Sequence, residues 1–200
     1  MKKQAFFLLI IISLIFNSCS DELDLEKSEY ISDDDYPELP EYSEWGYNTF
    51  GAYYDKDVFV SNSYDMPMKV IVTNGFTSFI FQGQKLGFGY SDMIMEFKIN
   101  NFLPPDAIFD DLLHLNDSII DLVDVNCNIL ITVNSTSKNV TLLNGKLEIR
   151  RAQKLYIDTK PADVILSGFF DFQALINGEP KAITNGRFDI AIGPMNFFAY

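Results

Sequence analysis

The sequence predicts an all-β chain, an antiparallel β-sandwich with a partly open β-barrel as the alternative arrangement. Three observations carry that prediction. From Tyr47 onward the apolar residues recur mainly with a period of two. Asn-Gly pairs at Asn74-Gly75, Asn144-Gly145, Asn177-Gly178 and Asn185-Gly186 punctuate the runs, as tight antiparallel connections require. Only one stretch has helical spacing, and it is short.

Taken in order, Met68, Val70 and Val72 alternate with Lys69, Ile71 and Thr73, so one face of that strand is apolar. Phe79 and Phe81, with Leu86 and Phe88, read as a second core-facing ladder. Met93, Met95, Phe97 and Ile99 alternate with Ile94, Glu96, Lys98 and Asn100. Pro104-Pro105-Asp106 then precedes Ile108, Leu112 and Leu115, spaced for one short helix near 106–115 with Asp106 as its N-cap. Asn126 to Ile131, around Cys127, is strand-like. Leu147, Ile149 and Arg151 oppose Lys146, Glu148 and Arg150. Val164 to Ile176 and Lys181 to Ile192 are the longest strand candidates and should form a hairpin about Asn177-Gly178. Asn185-Gly186 lies inside the second of them and reads as a bulge. In that hairpin Phe188 and Ile190 should face the core, leaving Arg187 and Asp189 outside as a solvated polar pair. About nine short strands suffice for a sandwich.

The first 46 residues have a different character. Lys2 and Lys3 precede a 12-residue run, Ala5 to Phe16, that is apolar except for Ser13. As a helix this spans about 18 Å, short of a hydrocarbon core of roughly 30 Å, so it reads as a secretory signal and not as a span. Residues 20–46 then carry eleven acidic groups against the single Lys27. The organisation expected is a signal peptide over 1–18, an acidic disordered tether over 19–46, and one β-rich domain over 47–200.

The run ends in Phe16-Asn17-Ser18-Cys19, which resembles a bacterial lipobox. The resemblance implies cleavage before Cys19, lipidation of Cys19 and a membrane partner through that anchor, with the outer membrane as the expected location. Ser20-Asp21-Glu22 resembles the acidic export signal of surface lipoproteins of Bacteroidota, which implies exposure at the cell surface. Asn48-Thr49-Phe50-Gly51, and the pair Ser167 to Phe172 and Ile183 to Asp189, resemble the opening and closing strands of small uncharacterised Bacteroidota lipoproteins. That resemblance brackets residues 48–189 and implies a β-rich domain of unknown function with no catalytic residues to carry over. Asp117-Ser118-Ile119 resembles the O-glycosylation acceptor triplet of the same group, making Ser118 a candidate site.

Chemistry is excluded more readily than assigned. A net charge of −13 is wrong for phosphate binding, so nucleic acid is not an expected partner. The sole histidine, His114, comes without a Gly-x-Ser-x-Gly elbow. Gly87-x-Gly89 lacks the third glycine and the helix of a dinucleotide site. With Cys19 committed to lipid, Cys127 has no disulfide partner and reads as a structural cysteine. Asp171 and Asp189 are carboxylates on strands, the raw material of a glycosidase, but such residues usually face solvent or pair with cations such as Arg187. The expectation is a non-enzymatic domain without cofactor or metal. A ligand-binding module for glycan or protein, using the aromatic cluster Phe76 to Tyr90, is the alternative.

Overall fold

The computed structural model describes residues 28–61, 66–87, 89–157 and 160–200. The leader, Cys19 and Ser20-Asp21-Glu22 lie outside them. The fold is all-β: one curled, mainly antiparallel sheet forming a half-barrel. Its strands are β1 (Thr49–Tyr54), β2 (Asp57–Val60), β3 (Met68–Thr73), β4 (Phe76–Gly87), β5 (Gly89–Asn100), β6 (Ser118–Asp121), β7 (Asn128–Val133), β8 (Thr136–Lys138), β9 (Val140–Ile157), β10 (Lys160–Ile176), β11 (Glu179–Ile192) and β12 (Phe197–Ala199). The order across the sheet is β6-β9-β10-β11-β1-β2-β4-β5-β7-β8. β3 lies on β4 beside β2, and β12 adds to β3 as the one parallel pair among the described residues.

Of the two arrangements the sequence left open, the structure has the barrel-like one. The reason is strand length: β9, β10 and β11 run for 18, 17 and 14 residues. Strands that long bend at bulges, and one bent sheet can wrap round and bury its own inner face. The β9–β10 ladder shifts register between Ser167 and Gly168 and again between Gln173 and Ala174. Asn185-Gly186 makes the predicted bulge, where β10 pairs Phe170 with Gly186 and then Phe172 with Ile183. Asn144-Gly145 is not a turn; it lies inside β9, opposite Gln173 and Phe172. The bulge at Ser167/Gly168 also breaks the simple alternation of β9, so Ala152 is buried and Arg151 exposed. Asn74-Gly75 and Asn177-Gly178 do connect hairpins. Asn177 and Gly178 both have positive φ (53° and 84°), as a tight primed turn demands.

The inner face is filled by phenylalanine. Phe81 is at its centre, with ring centroids of Phe50, Phe97, Phe170 and Phe188 at 5.3, 5.8, 5.3 and 5.6 Å. Such tilted and edge-on pairs add to simple burial. Met68, Val70, Val72, Met93, Met95, Phe97 and Ile99 all point into this core, as their alternation predicts. The ladder read at Phe79, Phe81, Leu86 and Phe88 needs correction. Phe79 and Phe81 are core, whereas Leu86 has the opposite parity on the same strand and packs outside against Val58, Val60 and Leu39. Phe88 lies outside the described residues.

The expected helix is present in shorter form. It is a 3-10 helix, Phe109–Leu115, and Ile108 occupies its N-cap position. Asp106 is consumed in the preceding turn, where the Ala107 N–H donates to the Pro104 carbonyl at 3.0 Å. Asp111 reaches back instead and accepts the Ile108 N–H at 2.8 Å. Leu112 enters the core.

Candidate functional site

The largest departure from the sequence reading is on the outer face of the sheet. The acidic segment read as a disordered tether is, from residue 28 to residue 46, an ordered strap laid across β2, β1, β11 and β10. Its own backbone is tied by Asp33 N–H to Leu39 carbonyl (3.0 Å) and Glu41 N–H to Ile31 carbonyl (2.6 Å). Leu39 is fully buried against Val58, Val60, Tyr53 and Leu86, a second small core outside the barrel. Gly51 of β1 makes the approach feasible, since a Cβ there would overlap the Pro40 ring and touch Leu39. Charge self-repulsion predicts an unstructured segment only where nothing offsets it, and here the sheet supplies apolar contacts and a cation.

Two groups on β11 hold the strap, and they are the ones expected in solvent. Arg187 is 6% exposed and Asp189 1% exposed. Arg187 forms an ion pair with Asp33 and lies over the Tyr36 ring, 5.0 Å from its centroid. Burial opposes the charge on Asp33. The N–H groups of Tyr36 and Asp35 and the Arg187 guanidinium outweigh it and hold its pKa below the usual carboxylate value. A depressed native pKa stabilises the fold above the unfolded value of about 3.9, and that contribution is lost as pH falls below it. Asp189 accepts hydrogen bonds from Ser43 Oγ and from the N–H groups of Trp45 (3.2 Å), Gly46 (2.8 Å) and Tyr47 (3.1 Å). Three successive backbone donors around one carboxylate fix the strap before it enters β1. Farther along, Tyr42 stacks on Phe169 with centroids 4.4 Å apart.

Beside the strap an open groove of about 420 Å³ crosses the outer face. Lys146 Nζ stands between Glu148 (3.7 Å) and Asp171 (3.8 Å), and Arg150 pairs with Glu148 at 2.9 Å. The ammonium thus bridges the two carboxylates, which read as members of one surface ion-pair network. Asp171 and Asp189 do not converge. Their β10 neighbours in register, Asp171 itself and Ser167, are four residues apart, roughly 13 Å along a strand.

The remaining sequence candidates are dispersed. His114 is exposed on the 3-10 helix. Ser118 begins β6, with its hydroxyl donating to the Leu115 carbonyl at 2.6 Å and its neighbour Ile119 exposed. Among the described residues no group of three His, Cys, Asp or Glu side chains could hold a metal ion, and no helix is long and apolar enough to cross a membrane. Cys127 is buried, and burial pushes its thiol up to about 12 despite a backbone hydrogen bond at Lys98. In the Cys19→Ala protein a thiol reagent at about pH 8 should therefore leave Cys127 unmodified until denaturant is added. Stoichiometric labelling of the native protein would contradict this placement.

Comparison of the chain with known protein families, with curated proteins and with solved structures gives no match. The functional reading therefore rests on the chain itself. No residue-level signal marked Arg187 and Asp189 as buried. The nearest was the acidic segment upstream, whose charge is opposite in sign to that of Arg187 but whose pairing partner, Asp33, is separated from it by 154 positions.

Proposed function

We propose that this protein is a cell-envelope lipoprotein, anchored through acylated Cys19 and presenting a non-enzymatic half-barrel at the outer membrane. The observation that carries the reading is the short apolar run after Lys2 and Lys3 that ends at Cys19. One acyl chain holds weakly and several hold firmly, at about 0.8 kcal/mol per buried methylene. In that reading the strap, residues 28–46, joins the anchor to the centre of the sheet through Arg187 and Asp189. Labelling cells with a radiolabelled or clickable fatty acid should tag the native protein and leave Cys19→Ala untagged. Equal label in the two proteins would end the proposal.

A second reading, an accessory module for a glycan or protein ligand, is supported by the open groove over Lys146, Arg150 and Asp171, whose walls carry both signs of charge. The aromatic cluster Phe76 to Tyr90 forms no exposed row: Phe79 and Phe81 are core, Phe76 is covered by Lys98 Nζ at 3.5 Å from its ring centre, and Tyr90, 81% exposed, stands apart from them.

A further inference from the structure

The strap brings the start of the described chain to a particular place on the domain. The Glu29 N–H donates to the Tyr47 carbonyl at 2.8 Å, so residue 28 lies beside the entry to β1. Next to Tyr47, Asn48 accepts the Ala191 N–H at 3.0 Å and lines a groove of about 360 Å³ together with Met66, Pro194 and Met195. The Gly193–Asn196 turn is rigid. The Asn196 side chain accepts the Gly193 N–H at 2.8 Å and donates to the carbonyls of Ala191 (2.9 Å) and Met68 (3.3 Å). Met195, on this fixed turn, is 65% exposed.

Trp45 flanks the same strand end. Its backbone is pinned by Asp189, and the following Gly46 sits against Ile165 and Ala191. The indole is nevertheless 71% exposed. Trp45 and Met195 are thus both held outward on hydrogen-bonded backbone. Such groups are best placed at a boundary where one side is apolar and the other wet.

The chain length supplies the occupant. Eight residues separate Cys19 from residue 28, a reach of at most about 30 Å fully extended. An acylated Cys19 would therefore keep this end of the domain within about 30 Å of the bilayer. Asp163 in the groove, with the acidic run of residues 21–26 between it and the anchor in sequence, disfavours an anionic surface and favours zwitterionic phospholipid.

We infer that the face bearing Trp45 and Met195 rests on the phospholipid surface in which Cys19 is anchored, with the Trp45 indole at headgroup depth. The inference rests on the lipoprotein reading. Trp45 is the only tryptophan in the chain, so its fluorescence reports this one site. The acylated protein would be reconstituted into phosphatidylcholine–phosphatidylethanolamine vesicles, with and without lipids spin-labelled high on the acyl chain. Emission should shift to the blue, spin-labelled lipid should quench about half of it or more, and iodide quenching should fall at least twofold relative to Cys19→Ala in buffer. Met195→Ser, a change at an exposed position, should weaken the lipid quenching without altering the melting temperature. Vesicles that carry the acylated protein while Trp45 stays as open to iodide as in buffer would overturn the docking and leave the anchoring intact. Failure of the protein to acquire fatty acid at all would remove the lipoprotein reading, and the docking with it.

Discussion

Replacing Asp189 with alanine is expected to destabilise the protein by about 3–5 kcal/mol, because it leaves four part-buried donors of the strap without their shared acceptor. The carboxylate accepts from Ser43 Oγ and from three consecutive backbone N–H groups, and Asp189 is 1% exposed. For a domain of this size that corresponds to a fall in melting temperature on the order of 10 °C. The strap should also loosen first. Its peptide bonds between residues 33 and 46 should become the earliest sites of limited proteolysis, and Trp45 emission should change at temperatures below the main transition. Asp171→Ala, at an exposed carboxylate on β10, is the control and should shift stability by no more than about 0.5 kcal/mol. A loss under about 1 kcal/mol for Asp189→Ala would mean that the strap is a passenger and not part of the fold.

Phe81→Ala should be comparably damaging for a different reason, at about 3–5 kcal/mol. Its ring touches those of Phe50, Phe97, Phe170 and Phe188, which come from β1, β5, β10 and β11. Removing it opens a cavity where four strands meet, and the surrounding rings cannot all move inward at once. Denaturant unfolding would show a lower midpoint with an unchanged slope. The change should leave strap proteolysis in the folded state unaffected, which separates it from Asp189→Ala. Coincident loss of both in the Phe81 variant would show that the inner and outer layers are one cooperative unit.

These two expectations revise what the sequence implies for β11. Read as an alternating strand, it has Phe188 and Ile190 inside and Arg187 and Asp189 in water, so the polar pair should be cheap to remove. The alternation is correct, and all four side chains do lie on the faces it assigns. What it cannot show is that the second face is also covered. A central antiparallel strand with one solvated face and one with both faces buried can have the same pattern when the covering layer is polar backbone and acidic side chains. The same limit explains Leu86, which has the outward parity of its strand and is half-buried in the small outer cluster with Leu39 from the strap.

The sequence by itself determined the β class, the core faces of β3 and β5, the Asn74-Gly75 and Asn177-Gly178 connections, and the bulge at Asn185-Gly186. All of these follow from interactions between residues close in sequence: pleat parity, positive φ at Asn and Gly, and the length of an apolar run. Only the tertiary structure decided the rest. The choice of one curled sheet over two facing sheets depends on bulges in β9 and β10 where the paired residues lie 16 to 32 positions apart. The ordering of residues 28–46 depends on Arg187 and Asp189, more than 140 positions away. Charge repulsion within that segment is a local property, and the contacts that overcome it are not. They exist only once β11 has been placed beside β1, and no local pattern encodes that placement.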